Sequence, residues 1–215
     1  MRVISTNLAS SREILWKGNK ISTGIYKSPV EGHIYLKSEH VENDLIADRK
    51  VHGGIHKACY LFSSQEYSYW KPLYPNLDWD WGMFGENLTV DGLDESAVFI
   101  GDIYKIGTAE VEVSQPREPC FKLGVRFGNQ GILAQFIERS FPGFYVRILK
   151  EGKVSHGDPI SLISRSPVEL TIKEFFELLF SKEKNQEKLQ MALSNEAIPE
   201  RKRLKLKRYI KKGGL

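Results

Sequence analysis

Short runs of apolar and β-branched residues, broken by glycine, proline and small polar residues, fill the first three quarters of the chain. Runs of this kind are typical of β-strands joined by tight turns. Gly18-Asn19 predicts a hairpin turn between the second and third runs. Residues 144–149 and 159–163 are predicted to pair as another hairpin. The predicted strands are 2–7, 13–17, 20–27, 33–36, 58–62, 98–100, 103–106, 109–113, 144–149 and 159–163.

Helical patterns are few in the first part of the chain and dominate its end. Ser63-x-x-Glu66 has the form of a capping box and predicts a helix over about 64–71. Another helical pattern starts past Gly131. Thr171-x-x-Glu174 is a second capping box, and apolar residues follow it at helical spacing.

The pattern changes at Ser164-Arg165-Ser166-Pro167, after which only helices are predicted. The last of them starts near Pro199, a residue suited to a first turn. We therefore expect two domains. Residues 1–165 are predicted to form a mainly β sandwich or barrel, and residues 166–215 a small three-helix domain.

The charge and the apolar runs limit the partners of the chain. Its net charge is +4, but the segment from Glu196 onward carries +6, which leaves −2 elsewhere. Nucleic-acid binding needs a basic face with interleaved aromatic residues, and this segment offers only Tyr209. We expect a solvated helix face and no nucleic-acid partner. No apolar run approaches the roughly 18 residues of a membrane span, and residues 1–5 lack the features of a signal peptide. A cytoplasmic protein without membrane contact is expected.

Candidate chemistry centres on residues 114–123, Ser-Gln-Pro-Arg-Glu-Pro-Cys-Phe-Lys-Leu. Two prolines remove backbone donors, so we expect a rigid loop leaving a strand, neither an interior helix nor a central strand. Arg117 and Lys122 flank Cys120 and would favour its thiolate, which is both a metal ligand and a nucleophile. The alternative is a buried, inert cysteine, which is how we interpret Cys59. No zinc-binding spacing is present.

Three segments together resemble a known family. His52-Gly53-Gly54-x-x-Lys57, Phe84-Gly85-Glu86-Asn87-Leu88 and the segment around Cys120 occur in the order found in MOSC domains of the YiiM type. The resemblance covers nearly the whole chain. It implies a MOSC β-barrel followed by a three-helix domain, in agreement with the boundary predicted near residue 166.

The resemblance implies that the protein binds the molybdenum cofactor, with Cys120 supplying a thiolate to the metal. Gly53, Gly54, Lys57, Asn87 and Arg117 are then candidate cofactor-binding residues. Gly53 and Gly54 would present backbone N–H groups, and Arg117 would bind a phosphate. An ordinary turn at the two glycines and an ion pair between Arg117 and Glu118 are the structural alternatives.

His52 is the candidate proton donor, because it titrates near neutrality. A purely structural histidine is the alternative. Asn87 can bond the pterin or the substrate through both amide groups, or it can be a plain turn residue. Glu86 is a weaker candidate for orienting His52 or Arg117. The chain departs from the family pattern at His56, where an acidic residue is common, and at residues 43–46, which lack the form Gly-Asp-x-Gln.

The activity implied is reduction of N-hydroxylated compounds such as 6-hydroxylaminopurine, N–OH to N–H, with electrons from a separate reductase. Detoxification of 6-N-hydroxylaminopurine, pyridoxal phosphate binding and a homodimer are further expectations attached to the family. Three other functions stay open. They are a metal-free thiol enzyme using Cys120, a cofactor carrier without turnover, and an interaction module using the basic last helix.

Overall fold

The computed structural model describes residues 1–45 and 54–211 of the 215-residue chain. Strands and helices alternate irregularly up to residue 164, and only helices follow. The described strands are β1 (Arg2–Ala9), β2 (Arg12–Trp16), β3 (Asn19–Thr23), β4 (Lys27–Pro29), β5 (His33–Leu36), β6 (Cys59–Ser63), β7 (Leu88–Asp91), β8 (Ile103–Ile106), β9 (Ala109–Pro116), β10 (Phe144–Lys150), β11 (Gly152–Ser155) and β12 (Ile160–Ser164).

The α-helices lie beside the sheet and at the end of the chain. Those described are α1 (Ser64–Leu73), α2 (Phe121–Arg126), α3 (Ile132–Arg139), α4 (Ile172–Phe180), α5 (Gln186–Ser194) and α6 (Glu200–Leu206), with short 3-10 helices at Ile55–Lys57 and Lys207–Tyr209. Within the described residues, no helix combines the length and the apolar character needed to cross a membrane.

Eight strands form one sheet in the order β12-β8-β9-β10-β6-β7-β1-β4. Neighbours are antiparallel except β6 and β7, which are parallel. The start of β12 reaches β1, because Ile160 N donates to Met1 O at 2.9 Å and Val3 N donates to Asp158 O at 2.9 Å. These bonds bring the sheet back on itself as a barrel. Two short ribbons, β2–β3 and β11–β5, flank it. The predicted mainly β fold with a barrel and three C-terminal helices is confirmed.

Two apolar clusters fill the molecule. The larger one joins the barrel interior to the C-terminal helices, since Phe175, Leu189 and Leu206 belong to the same cluster as Val111 and Val146. The smaller one is mainly aromatic and packs α1 and α3 against the outer side of β6, around Phe62 and Phe84. Burial of a large apolar side chain contributes about 1.5–3 kcal/mol. The C-terminal helices are therefore held to the barrel by a shared core.

The C-terminal capping box forms as predicted, and the N-terminal hairpin forms with its turn one residue earlier than the predicted Gly18-Asn19. β2 and β3 pair around Lys17-Gly18. Thr171 Oγ1 accepts from Glu174 N at 3.1 Å, and the Glu174 side chain bonds back to Thr171 N. The α6 helix begins directly after Pro199, as predicted.

The prediction of a strand over 98–100 is wrong. This segment is a turn with one bridge, Phe99 to Thr171. Ile100 N donates to Leu170 O, so the segment pairs with the chain entering α4. Val98 and Ile100 are buried in the larger apolar cluster, and burial alone gives the same composition as a strand.

The predicted hairpin of 144–149 with 159–163 is also wrong. β10 lies between β9 and β6, whereas β12 pairs with β8. The intervening residues 152–155 form β11 and pair with β5. Gly157 lies in a turn but Gly152 begins β11, and pairing with distant strands decided the topology.

The capping box predicted at Ser63 does not form, although the helix does. Ser63 Oγ bonds to Leu93 O at 3.0 Å, and Glu66 is held by Arg139 at 2.8 Å. Tertiary partners thus use both side chains that a cap would need.

The expectation that residues 114–123 avoid a central strand is wrong in part. β9 runs on to Pro116 with β10 alongside. Its pairing with β8 ends at Glu112, so Pro116 meets a neighbour on one side only. Proline has no backbone N–H to donate, and it is tolerated there because a strand with a neighbour on one side only does not need a donor on its free side. The loop proper is residues 117–120, and α2 starts directly after Cys120.

Candidate functional site

The three segments singled out in the sequence meet at one pocket. Lys57 comes from the first, Asn87 from the second, and Arg117 and Cys120 from the third. Thr23, Gly24, Ile25, Lys27, Asp44, Leu45, Lys57, Ala58, Tyr60, Phe84, Gly85, Asn87, Arg117, Glu118, Cys120, Lys122 and Tyr145 line the pocket. The contribution of 23–27 is not predictable from the motifs, because nothing in a single sequence relates the end of the first hairpin to a loop 90 residues later.

Cys120 is the accessible thiol of the molecule. It is half-buried and stands at the end of the loop, as the residue before α2. Its backbone O accepts from Leu123 N at 2.9 Å, which closes the first turn of the helix. Cys59 is fully buried in β6, and burial raises the pKa of its thiol. The pocket therefore offers one sulfur, and the interpretation of Cys59 as a core residue is confirmed.

Arg117 is a buried cation, and the described part of the chain provides no carboxylate partner for it. It is 5% exposed, and its guanidinium carbon lies 5.1 Å from the ring centre of Phe136 and 5.9 Å from that of Tyr60. Its Nη1 is buried and has no hydrogen-bond partner among the described residues. The ion pair with Glu118 that we considered is not formed. A buried polar atom left unpaired is costly, so the arrangement suits an anion arriving in the pocket.

Two lysines add positive charge around Cys120. Lys122 is 8% exposed, and across residues 1–45 and 54–211 no ion pair to it is seen. The Lys57 ammonium lies 5.7 Å from the centre of the Tyr145 ring. Burial, and secondly the charge of Lys202, lower the pKa of Lys57. Burial raises the pKa of Tyr145 to about 12, so this phenol stays protonated near neutrality.

A buried ion pair forms part of the pocket wall. Lys27 Nζ contacts Asp44 Oδ2, and both side chains are almost fully buried. Asp44 Oδ1 also accepts from Ala9 N at 2.8 Å. Asp44 lies in the 43–46 segment that departs from the family pattern. Its partners show that it fixes the pocket wall, a role that the sequence did not reveal.

Asn87 has its amide already engaged within the protein. Its Oδ1 accepts from Tyr60 N at 3.2 Å, and its Nδ2 donates to Asp44 Oδ2 at 2.9 Å. It lines the pocket and connects β6 to the Lys27–Asp44 pair. Its role as a cofactor-binding residue stays a prediction, and these contacts give it a supporting function first.

Glu86 shapes the turn before β7 and does not reach Arg117. It is fully buried and accepts from Gly82 N at 2.9 Å, Phe84 N at 3.1 Å and the Thr89 hydroxyl at 2.9 Å. Burial raises its pKa. Glu86 also accepts from the Tyr67 hydroxyl on α1, and among the described residues no hydrogen bond or ion pair joins it to Arg117, so that suggested contact is wrong. The suggestion that it orients His52 stays a prediction, because His52 lies outside the described residues.

The glycine-rich segment is described only in part. His52 and Gly53 lie outside the described residues, so their predicted roles stay predictions. Gly54 has φ +92°, a conformation that favours glycine. It is exposed and precedes the 3-10 helix Ile55–Lys57, whose carbonyl at His56 accepts from Ser114 Oγ at 2.7 Å. In residues 1–45 and 54–211 no cluster of three acidic, histidine or cysteine ligands is present.

Comparison with known sequences identifies a matching family model and similar bacterial proteins. The MOSC domain model matches residues 48–161. YflK of Bacillus subtilis (strain 168) is 36% identical over 198 residues, covering 92% of this chain and 89% of that protein. YiiM of Escherichia coli (strain K12) is 36% identical over 154 residues, covering 71% of this chain and 68% of YiiM.

A fungal relative and two solved structures extend the comparison. A protein named Reductase from Gibberella moniliformis (strain M3125 / FGSC 7600) is 38% identical over 69% of this chain but only 27% of its own length. YiiM from Geobacillus stearothermophilus superposes with a TM-score of 0.82 at 28% identity, covering 98% of this chain and 99% of that one. The E. coli YiiM structure gives 0.75 at 26% identity, covering 97% and 92%. The chain belongs to the MOSC domain family and shares the fold of the YiiM structures.

Proposed function

We propose that the protein is a molybdenum-cofactor-dependent reductase of N-hydroxylated compounds, such as 6-hydroxylaminopurine. The observation that carries the proposal is that one pocket is lined by the accessible thiol of Cys120 and by the buried guanidinium of Arg117, whose Nη1 has no partner in residues 1–45 and 54–211. A soft thiolate suits molybdenum among sulfur ligands. An unpaired buried arginine suits the phosphate of a cofactor.

The residues of the pocket divide into those that would hold the metal and those that would hold the anionic part of the cofactor. Cys120 Sγ would be the protein ligand to molybdenum, and coordination keeps such a thiol deprotonated. Arg117 and Lys122, both nearly buried, would neutralise phosphate charge, with Lys57 beside them. When bound, the cofactor supplies two-electron chemistry that no side chain can supply.

The reaction consumes two electrons and two protons and cleaves one N–O bond. R–NH–OH becomes R–NH2, and the oxygen leaves as water. His52 is our candidate for delivering a proton to that oxygen. The Lys57 ammonium, whose pKa is lowered chiefly by burial, lies at the pocket and would orient a polar substrate. A separate reductase would provide the electrons. The Gibberella relative named Reductase, of which this chain spans a quarter, supports a redox role.

The test is molybdenum analysis of protein made in a host that synthesises the cofactor. We expect stoichiometric molybdenum in the parent protein and its loss in Cys120→Ser. Cys59→Ala is the matched control and should keep its molybdenum, because Cys59 is sealed in the core. Turnover of 6-hydroxylaminopurine is then measured with reduced methyl viologen as the electron source.

Each alternative function gives a different result in this experiment. Molybdenum without turnover indicates a cofactor carrier. Turnover by protein from a host unable to make the cofactor indicates a metal-free thiol enzyme. Equal molybdenum in the parent and in Cys120→Ser contradicts the proposal.

A further inference from the structure

An ion pair joins the last helix to the cysteine loop. Lys202 Nζ on α6 lies 2.6 Å from Glu118 Oε1. Glu118 stands between Arg117 and Cys120 in the chain. The Lys202 side chain is 16% exposed and that of Glu118 is 48% exposed. Lys202 also passes over the ring of Phe175 on α4, with 5.9 Å from Nζ to the ring centre. The Lys202 side chain therefore contacts both α4 and the cysteine loop.

The loop has few other anchors. Its backbone is bonded at the start, where Arg117 N donates to Gly143 O at 3.3 Å, and at the end, where Cys120 O caps α2. Among the described residues, the Lys202–Glu118 pair is the one side-chain hydrogen bond or ion pair made by residues 117–120. Apart from the packing of the buried Arg117 side chain, the loop between its two ends is thus held by a side chain from the C-terminal helices.

The same lysine acts on the pocket electrostatically. Its charge lowers the pKa of Lys57, second only to burial, so the two amines are within range of each other. Cys120 and Glu118 both act on the Lys57 pKa in the opposite direction. Lys57, Glu118 and Cys120 line the same pocket, and the ion pair with Glu118 brings Lys202 to it from the C-terminal part of the chain.

We propose that Lys202 is a positioning residue of the site, and that the C-terminal helices complete the pocket by fixing the loop that carries Cys120. The inference rests on the role proposed for Cys120 but does not depend on which metal, if any, the sulfur binds. It makes the three-helix region part of the functional site.

The experiment follows the reaction of metal-free protein with iodoacetamide from pH 6 to 10. Cys59 is fully buried, so the reaction reports on Cys120 alone. The midpoint of the rate profile gives the thiol pKa, and its high-pH plateau gives the accessibility of the sulfur. The variants are Lys202→Gln, Glu118→Gln and the double variant, with Lys202→Arg as the conservative change. Lys205→Gln, on an exposed position of the same helix, is the control.

A positioning role and a purely electrostatic role predict different patterns. If the pair positions the loop, both single variants raise the plateau by about 1.5- to 5-fold, the range for a partly exposed ion pair. The double variant then equals either single one, while Lys202→Arg and Lys205→Gln match the parent. If only charge matters, the two single variants shift the midpoint in opposite directions and leave the plateau unchanged.

An unchanged plateau in both single variants would overturn the proposal. Urea unfolding of each variant separates a loop effect from a general loss of stability, which would also affect the labelling of Cys59. The readout needs no molybdenum. A failure of metal loading would thus count against the proposed function and not against the role of Lys202.

Discussion

The buried charge of Arg117 is unfavourable for the stability of the fold but suited to binding an anion. Its charge lies among aromatic rings, and one of its nitrogens is unpaired within the described residues. Burial of a charge without a hydrogen-bonded partner costs free energy. Arg126, a neighbour on α2, is different, since its Nη1 donates to Ile25 O at 2.7 Å. Arg117 is thus buried with an unpaired nitrogen, whereas the half-buried Arg126 is bonded within the fold.

Replacing Arg117 by methionine is therefore predicted to stabilise the cofactor-free protein. Methionine fills the aromatic surroundings without a charge, and we expect the free energy of unfolding in urea to rise by about 1 kcal/mol. Arg126→Met is the matched control and should lower it by about 1–3 kcal/mol, because Ile25 O loses its donor. Molybdenum retention should fall in Arg117→Met. A large destabilisation by Arg117→Met would show that this charge is satisfied in the folded protein.

Helix ends show how a local pattern depends on its surroundings. Two capping-box sequences occur, at Ser63 and at Thr171, and only the second forms its reciprocal bonds. At the first, Leu93 O and Arg139 take the two side chains. The start of α4 is therefore stabilised locally, whereas α1 is held by tertiary contacts.

For α4 we predict that Thr171→Ala lowers the free energy of unfolding by about 1 kcal/mol, the usual cost of losing a side-chain cap. Thr171→Ser keeps the hydroxyl and should lose only a small part of this free energy. Urea denaturation followed by circular dichroism measures both. Equal losses in the two variants would mean that the methyl group of Thr171, and not its cap, carries the effect.

Local periodicity was sufficient for most elements but not for their partners. The strands 103–106 and 109–113 and the helix at 172–180 follow from alternation and helical spacing. The pairing of β11 with β5 links residues more than 100 positions apart, and no turn signal encodes it. The strand prediction at 98–100 was wrong because buried apolar residues outside a strand have the same composition as those within one. The helix at 121–126 was missed because it is short and directly follows two prolines.

The site shows the same division. Cys120, Arg117, Lys57 and Asn87 were identified from motif residues, and all four line one pocket. The Lys27–Asp44 wall and the Lys202–Glu118 pair were not identified, because each joins segments that meet only in the folded chain. Burial and pairing, which sequence does not display, decide which charged residues belong to a site.

At the scale of the whole molecule, Glu95 makes the stability depend on pH. It is fully buried, its Oε1 accepts from Gly143 N at 2.9 Å, and its Oε2 has no partner among the described residues. Burial raises the pKa of Glu95 from 4.5 to about 8. The folded protein therefore keeps this proton at neutral pH, whereas the unfolded chain releases it.

We predict from this that stability falls as the pH rises from about 4.5 to about 8. In that window the folded state binds one proton more than the unfolded state, which lowers the free energy of unfolding by at most about 1.4 kcal/mol per pH unit. The contribution is complete below pH 4.5 and is lost above pH 8. Glu95→Gln removes it, so the difference between parent and variant isolates it. A constant difference across the window would show that Glu95 is ionised in the folded state.

The contrast between the two cysteines gives the molecule one more property. One sulfur is sealed inside β6 and the other stands at the pocket. A column of activated disulfide beads would therefore capture molecules through Cys120 only, and only while that sulfur is unoccupied. Protein whose Cys120 sulfur is already bound to a metal would pass through the column. A single chromatographic step would therefore separate metal-bound from metal-free protein.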